Sequence, residues 1–584
     1  MKEVQVVGLL LGVWVGALAS VGFPVTAAAG CAVVCLALRR PWPFVVSAAL
    51  LASALGARAE LAHQPLAAQS FDGPVRLLTD PVATSFGVRV EARLPDGKRV
   101  QLVANGSAAF AFDGATTGQV ALVSGRIRGL EPLPWARSRH LVGKLTAQQV
   151  RLHDGVPWWQ QPSEHLRRLV AAGTRSFDHE QAALYRGLVI GDDREQSLAQ
   201  RARFRSAGLS HLLAVSGQNV AFALAVAWPF TRRYDAPIRV GMIGVVLFVF
   251  AVATRLEPSV VRATATAGVA AWSAMVGRPA AGLRALALAV SGLVLIDPFL
   301  VSSVGFQLSV AATAGILLAG PALIAHLPGP VLLRQAVGIT ASAQLFVTPL
   351  LISFFGPVSV VALPANILAG WAAGVVMMWG LSVGVMAGLF PEWAGWMQTP
   401  VRLLLWWIDA VATKASTLRA PLIDGRALVI LLALATMLRL IWPRWLPRIA
   451  VSAVLVAVLA SLVPTRPSAP VDLSAGARYW PSTEATPSVL VVSSEARRGL
   501  ADEILATRID GVDVLVLVRA DSTTRELSQA IIDLVDPSLT LAPPLHRVVG
   551  AKRVTDQLVI GVGDGAITLT PHSTRLEVST APAP

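Results

Sequence analysis

Residues 208–222 read GLSHLLAVSGQNVAF, an apolar stretch typical of a membrane helix that nevertheless contains several polar side chains. They include His211, Ser216, Gln218 and Asn219. A polar group left unsatisfied in hydrocarbon costs several kcal/mol, so lipid-facing helices avoid such residues. These side chains therefore either bond to one another inside a helical bundle or line a hydrated path through it.

The composition predicts a polytopic membrane protein with smaller polar parts. Of 584 residues, 54% are hydrophobic and 14% charged, and the mean hydropathy is +0.61; soluble domains are about 25% charged. The net charge is +14, yet residues 466–584 hold 11 basic and 14 acidic residues, which leaves +17 on the rest. Two explanations stay open: basic cytoplasmic loops, or a polyanionic substrate. The two cysteines, Cys31 and Cys35, are expected to be small core residues.

Apolar runs of about 20 residues predict membrane spans in two groups. Residues 1–62 hold three, and residues 208–464 hold the others, for a total of about 11 to 13. Lys2 and the pair Arg39–Arg40 fall on one side if all three N-terminal segments span. The positive-inside rule makes that side cytoplasmic and sends the chain outside after residue 61. The spans predicted after residue 207 are 208–230, 238–254, 260–276, 283–296, 299–320, 332–355, 358–390 (two), 401–415, 426–442 and 449–463.

Residues 72–154 form a polar insert with the period-2 pattern of β-strands. VRVEARL at 88–94, a PDGK turn and RVQLV at 99–103 predict a hairpin, and 120–127 and 141–150 supply further strands. Several short strands in a small insert favour an extracytoplasmic OB-like β-barrel, a shape often used to bind nucleic-acid strands. A purely structural domain fits as well. Its candidate DNA contacts are Arg89, Arg93, Lys98, Arg99, Arg126 and Arg128.

Residues 163–207 are rich in arginine, and their apolar residues recur at helical spacing. The arginines fall on or near the opposite face, as in amphipathic helices that lie along a membrane surface. Arg167 and Arg168 join the candidate DNA contacts.

Residues 470–584 alternate strand and helix patterns after a Pro-containing linker, which predicts a small α/β domain. Strands are expected at 488–493, 512–518 and 539–542, with helices at 495–509 and 524–535. The chain has no Walker-type phosphate loop and no clustered metal ligands. Ser216 and His211 lack an acidic partner nearby, which argues against a nucleophilic site. We therefore expect no catalytic residues, metal or cofactor.

Further polar residues interrupt the later spans, and Pro258, Pro349 and Pro364 break helices near them. Helix-to-helix hydrogen bonding is the ordinary role of such groups. Their number, together with the broken helices, favours a hydrated path. The candidate path-lining residues are His211, Ser216, Gln218, Asn219, Arg255, Glu257, Arg262, Gln307, Gln344 and Asn366.

Several motifs follow one another along the middle of the sequence. They are GLVIG (187–191), GLSHLLAVSGQNV (208–220), EPSVVRA (257–263), DPFLVSSVGFQLS (297–309) and SAQLFVTP (342–349), with PAN at 364–366. In this order the motifs resemble the ComEC family of competence proteins. The resemblance implies a multi-pass channel in the bacterial plasma membrane that carries single-stranded DNA into the cytoplasm during natural transformation. It also implies partners: a DNA receptor, a cytoplasmic motor or single-strand-binding proteins, and a separate nuclease.

Two features depart from the family pattern. SGQNV stands at 216–220 where the family usually has SGLHV, so an amide replaces a titratable His at Asn219. Residues 512–543 resemble the later part of a metallo-β-lactamase-like domain, but RADS stands at 519–522 in place of HHGS. We interpret 470–584 as a degenerate remnant of that domain. The alternatives are a transporter for another solute, with Glu257 coupling protons, and a nuclease acting through the tail.

The tail supplies a first test. Purified residues 470–584 should neither bind zinc or manganese nor cut DNA, because the residues that would hold the metals are missing from the motif. Metal-dependent cutting by this fragment would overturn the interpretation as a remnant.

Overall fold

The computed structural model of the protein describes residues 3–21, 42–84, 87–153, 155, 157–213, 216–277, 280–418, 422–427, 429, 470–482, 486–496, 499–507, 509, 512–519, 524–544, 548, 551–562, 565–572 and 575–582. The second of the three N-terminal spans, predicted at residues 25–38, lies outside the described residues. The same holds for the predicted span 449–463 and for most of 426–442. Both cysteines and the last three residues of the RADS segment also lie outside them.

Two apolar helices, α1 (Glu3–Ala19) and α2 (Trp42–Ala62), begin the described chain and pack along each other. A Cβ on Gly16 would overlap with the carbonyl of Ala49, so glycine is needed where the two backbones approach. Small residues allow such close packing where lipid gives no hydrophobic drive to associate.

The β domain, residues 69–153, follows. Its sheet order is β1-β5-β6-β4-β3-β2, and β1 also pairs with β3. The pairing of β4 with β6 is parallel, whereas the others are antiparallel. Its elements are β1 (Gln69–Leu77), β2 (Val82–Thr84), β3 (Gly87–Arg93), β4 (Arg99–Asn105), α3 (Ser107–Phe110), β5 (Val120–Gly129), α4 (Pro134–Arg137) and β6 (Leu141–His153).

The hairpin predicted from the alternating pattern is confirmed. β3 and β4 pair antiparallel with Val90 opposite Leu102, and both side chains are buried. Gly97 in the turn has φ +88°, a left-handed conformation that glycine adopts without strain. The period of two therefore identified the core face of the sheet correctly.

The remaining helices of the membrane part run from α5 to α19, and the short strands β7 (Val358–Ser359) and β8 (Leu422–Ile423) pair with each other. The helices are α5 (Gln161–Ala172), α6 (His179–Ile190), α7 (Leu198–Ser206), α8 (Ser210–Leu213), α9 (Gly217–Thr231), α10 (Ala236–Ala253), α11 (Pro258–Met275), α12 (Gly282–Ile296), α13 (Val304–Leu318), α14 (Gly320–His326), α15 (Val331–Phe355), α16 (Ala362–Leu381), α17 (Val383–Leu389), α18 (Ala394–Met397) and α19 (Thr399–Thr417).

Within the described residues, four helices are long and apolar enough to cross a membrane: Val45–Ala62 within α2, α10, α15 and α16. The pair α13 and α14, bent by 48°, adds a fifth if it forms one broken span. These helices are compatible with a polytopic helical membrane protein, as the sequence predicts. The figure of 11 to 13 spans stays a prediction.

Two predicted spans are divided in the structure, which corrects the expectation of continuous helices at 208–230 and 299–320. The first consists of α8 and α9, with Ser216 in an extended conformation (φ −109°, ψ 166°) ahead of α9. Serine and glycine at such a position favour a helix start. In the second, a 3-10 turn at Pro298–Ser302 precedes α13, which begins where the Ser303 hydroxyl accepts a hydrogen bond from the Phe306 amide.

The arginine-rich segment forms the helices α5, α6 and α7, and some of its arginines are paired rather than exposed. Arg167 is buried, and Arg203 pairs with Glu180 at 3.1 Å. Arg186 likewise pairs with Glu195. Each of these glutamates lies outside the helix that carries its arginine, so the spacing within a single helix does not reveal the pair.

The tail domain, residues 471–582, has the predicted α/β alternation. Its larger sheet has the order β14-β13-β12-β11-β10-β9, in which β11 to β14 are parallel, and β15 to β17 form a separate antiparallel sheet. Helices α20 and α21 pack against α7 of the membrane part. The elements are β9 (Val471–Leu473), β10 (Ala477–Trp480), β11 (Val489–Val492), α20 (Leu500–Thr507), β12 (Val514–Leu517), α21 (Arg525–Val535), β13 (Leu539–Ala542), β14 (Lys552–Arg553), β15 (Leu558–Val562), β16 (Gly565–Pro571) and β17 (Leu576–Pro582).

A group of charged side chains, here called the ion cluster, joins the β domain to the helices. Arg255 donates to both oxygens of Asp80, at 2.7 and 3.1 Å, and to Glu164. Arg167 donates to Asp80 and to Asp192, at 3.0 Å each. The cluster consists of Asp80, Glu164, Arg167, Asp192, Arg194 and Arg255, so its three acidic and three basic groups balance in charge.

Burial and charge act in opposite directions on these carboxylates. Burial opposes the ionisation of Asp80, but the guanidiniums of Arg255 and Arg167 outweigh it and lower the pKa of Asp80. Burial likewise opposes the ionisation of Asp192, and the hydrogen bonds from Arg194 outweigh it, so the pKa of Asp192 falls to about 2. Both groups are therefore carboxylates at neutral pH.

The turn between α10 and α11 depends on the ion cluster. Arg255 and Leu256 have φ of 60° and 54°, a left-handed conformation that costs a non-glycine residue about 1–2 kcal/mol. The bonds from Arg255 to Asp80 and Glu164 offset this cost. A second anchor joins His140, in the turn before β6, to Asp297 at the end of α12, at 2.9 Å.

Replacing Asp80 tests whether the ion cluster holds the domains together. Asp80→Asn should lower the stability of the purified protein by about 3–5 kcal/mol, because the substitution leaves buried guanidiniums short of a negative charge. Thermal unfolding in detergent, read beside limited proteolysis between the β domain and α5, measures the change. Asp72→Asn is the matched control, since Asp72 accepts from Ser124 at the exposed surface.

The difference between the native protein and Asp80→Asn should depend on pH. Because the folded-state pKa of Asp80 is lowered, the contribution of its charge is present above the unfolded value of about 4 and is lost as the pH falls through the folded value. The stability difference should therefore narrow below about pH 4. A difference that stays constant there would show that charge is not its source.

Candidate functional site

The start of α9 lines a small pocket between α6, α8 and α16, with room for about one water molecule. Four of the ten predicted path residues meet there: His211, Ser216, Gln218 and Asn219. The rest of this polar pocket is formed by Leu188, Leu212, Phe222, Gly370, Ala373, Gly374 and Met377. The structure thus brings these four polar side chains of the stretch 208–222 to the same small pocket.

Asn219 is fixed by two hydrogen bonds. Its side-chain oxygen accepts from the Ser216 hydroxyl at 3.0 Å, and its amide donates to the Leu188 carbonyl at 3.2 Å. The side chain is buried, and it joins the start of α9 to the end of α6. The amide therefore acts here through hydrogen bonds that do not change with pH.

Arg262, in the second turn of α11, is the buried charge nearest to the polar pocket. Its guanidinium packs against Gly217, where a Cβ would overlap with Nη2, and its Nε donates to the Ser309 hydroxyl at 2.8 Å. Among the residues that the structure describes, no carboxylate pairs with it. A buried guanidinium without a counter-charge has spare donors for an anion.

The other predicted path residues lie apart from the polar pocket. Arg255 belongs to the ion cluster and pairs with Asp80 and Glu164 rather than with the nearby Glu257. Glu257 is exposed immediately before α11. Gln307 donates to the Val301 carbonyl at 2.7 Å, which is a local role. Gln344 lies in α15 and Asn366 in α16, both half-buried.

The predicted DNA contacts divide by burial. Seven side chains are exposed or half-buried, whereas Arg167 is buried in the ion cluster and is not open to a strand of DNA. The expectation that Arg167 contacts DNA is therefore corrected, because its guanidinium already forms ion pairs with Asp80 and Asp192. The seven are Arg89, Arg93, Lys98, Arg99, Arg126, Arg128 and Arg168.

Comparison with known proteins identifies the part of the chain that holds the polar pocket. Residues 188–446 match the family described as Competence protein. This match covers less than half of the chain. The match covers every element of the polar pocket, from Leu188 at the end of α6 to Met377 in α16. The resemblance to ComEC proteins predicted from the motifs is confirmed for this competence segment.

One curated relative supports the same assignment. ComE operon protein 3 of Bacillus subtilis (strain 168) is 26% identical over 263 residues, which are 43% of this chain and 32% of that protein. The chain thus spans about a third of the length of the curated relative that it matches. No solved structure matches the chain. The metallo-β-lactamase-like character of the tail stays a prediction.

Sequence reasoning missed several residues that build the site. Ser309 and Gly217 lie inside the quoted motifs, so their positions beside Arg262 could have been suspected from the motifs alone. Asp80 and Asp192 carried no such signal. Their importance depends on pairing with Arg167 across long stretches of sequence.

Two glycine substitutions in the competence segment should change stability in opposite directions. Gly217→Ala should destabilise the protein by about 1–3 kcal/mol, because the new methyl group displaces the Arg262 guanidinium. Gly292→Ala, within α12, where an added Cβ meets nothing within 4 Å, should be neutral or stabilising by up to about 1 kcal/mol. Thermal unfolding of both variants measures this. Equal effects would contradict the assigned contact.

Proposed function

We propose that the protein carries single-stranded DNA across the bacterial plasma membrane during natural transformation, as a channel without catalytic activity of its own. The observation that carries the proposal is the competence segment, in which the unpaired, buried Arg262 lies beside a pocket of hydroxyl and amide groups. Such a set suits a phosphodiester chain, whose charge recurs while its bases vary.

DNA would reach the channel through the β domain, which we propose to be an OB-like barrel. The pairing of β1 with both β5 and β3, and the parallel pair β4 and β6, support a closed arrangement. Six of the seven accessible basic candidates lie on its strands and turns. Contacts to phosphates would give weak sequence preference and strong salt dependence.

We propose that the β domain is extracytoplasmic. The basic residues Lys2 and Arg39–Arg40 favour a cytoplasmic location for the ends of the N-terminal spans that carry them, and α2 leads directly from that side to β1. Arg232 and Arg233 lie between the end of α9 and the start of α10. The opposite end of α9 lines the polar pocket, and the opposite end of α10 adjoins Arg255 of the ion cluster. That charge distribution agrees with the same orientation.

Energy and strand selection would come from other proteins. We propose a DNA receptor that delivers the strand, a cytoplasmic motor or single-strand-binding proteins that draw it in, and a separate nuclease. The described part of the tail domain holds no group of three His, Cys, Asp or Glu placed to bind a metal.

Uptake of labelled DNA tests the proposal. Deletion of the gene should abolish entry of labelled single strands, and the native gene should restore it. Arg262→Gln should reduce entry about tenfold or more, because a charge-assisted hydrogen bond contributes about 1.5–3 kcal/mol. Arg402→Gln, an exposed arginine in the same segment, is the matched control and should change entry less than twofold.

Membrane levels of each variant must match the native protein for the comparison to hold. Uptake at native levels in the deletion strain would refute the proposal. Unchanged DNA entry together with loss of transport of a small solute would favour the transporter alternative. Metal-dependent cutting by the full chain would favour the nuclease.

A further inference from the structure

Helix α5 has two faces with different partners. On one face, Ser163, Arg167 and Val170 are buried, with Arg167 in the ion cluster. On the other face, His165 and Arg168 are exposed and line an open groove floored by apolar side chains such as Leu169.

Arg175, just after the end of α5, completes the groove. The lining therefore holds three basic side chains, His165, Arg168 and Arg175, and no acidic one. Throughout the described part of the chain, no carboxylate forms an ion pair with any of them. This contrasts with Arg167, Arg186 and Arg203 of the same segment, which all have acidic partners. Two neighbouring arginines without counter-charges favour an anionic ligand.

Exposed tryptophans lie before the start of α5 and beside Ser176, which follows Arg175. Trp158, immediately before α5, is 81% exposed. Trp393 and Trp396 are 62% and 77% exposed, and Gly395 between them lies against Ser176, with 4.0 Å from its ideal Cβ to the Ser176 Cβ. Tryptophan concentrates at the depth of lipid headgroups.

The packing of α5 agrees with that depth. The Leu169 carbonyl lies against Gly388 of α17, where a Cβ would overlap with it, and α17 directly follows the candidate span α16. The β domain lies against the start of α5, since Gly118 touches Gln160. The helix that carries the groove therefore packs between the β domain and the helix that follows the candidate span α16.

We propose that this groove binds the phosphodiester headgroup of an acidic phospholipid, on the side of the membrane that faces the β domain. Arg168 and Arg175 contact the phosphate oxygens, His165 donates to the headgroup, and the apolar floor meets the start of the acyl chains. Arginine suits phosphate because its planar fork offers paired donors. The tryptophans favour a lipid over a strand of DNA, and this site is separate from the polar pocket.

The test uses the full chain in nanodiscs of phosphatidylcholine, with and without phosphatidylglycerol. Native mass spectrometry counts the phosphatidylglycerol molecules retained, and thermal unfolding measures their stabilising effect. Arg168→Gln/Arg175→Gln should weaken phosphatidylglycerol binding about tenfold or more, since each basic residue near an anionic surface contributes to affinity. Lys144→Gln/Arg151→Gln, exposed on β6, removes the same charge and should leave binding unchanged.

Each outcome decides the question. Equal unfolding temperatures of both variants in pure phosphatidylcholine, with weaker phosphatidylglycerol binding in the groove variant alone, support the proposal. Equal phosphatidylglycerol binding by the native protein and the groove variant overturns it. A groove variant that retains phosphatidylglycerol but loses a single-stranded oligonucleotide also overturns it, and assigns the groove to DNA instead. Neither result bears on the Arg262 test of transport.

Discussion

The carboxylate of Asp80 is shared by two guanidiniums that come from different helices, and the arrangement of the domains depends on this sharing. Arg255, just after the end of α10, donates hydrogen bonds to both oxygens of Asp80, while Arg167 in α5 donates to one of them. Arg167 also donates to the Ala253 carbonyl at 2.8 Å, where a cation satisfies a helix C-terminus. One acidic side chain of the β domain thus sets the relative positions of α5 and α10. Buried ion pairs stabilise a protein only when such geometry is complete.

The ion cluster is also connected to the polar pocket, because the turn that it holds leads into the helix that carries Arg262. The strained turn at Arg255 and Leu256 leads directly into α11, and Arg262 lies in the second turn of that helix. The start of α11 therefore decides where the guanidinium meets Gly217 and Ser309. The ion cluster joins the β domain to the start of α11, besides the contact between His140 and Asp297, so the geometry of the domain that would receive DNA is tied to that of the pocket.

Local patterns predicted the local structure well. The alternation around residues 88–103 identified the β3–β4 hairpin, and the strand predicted at 539–542 coincides with β13. Pairing between distant residues was beyond such patterns: Arg255 was expected to line a path, yet its partner Asp80 is 175 positions away. The interruptions of the helices were not predicted for a related reason. Ser216 and Ser303 precede the first residues of α9 and α13, but each lies within an apolar run, at 208–230 and 299–320, that reads as one continuous span. The sequence named four of the residues that line the polar pocket as members of a longer path, but it did not indicate their partners Leu188 and Gly374.

The turn between α10 and α11 depends on residues that precede it in the sequence, so the elements that stabilise the turn are synthesised before it. Both acceptors of Arg255, Asp80 and Glu164, precede it in the sequence. During synthesis from the N-terminus, the β domain and α5 leave the ribosome before the turn does. The left-handed turn therefore meets its counter-charges as soon as it emerges, and α11 starts from a fixed point. A chain in which the β domain were moved behind the competence segment would have to form this turn without them.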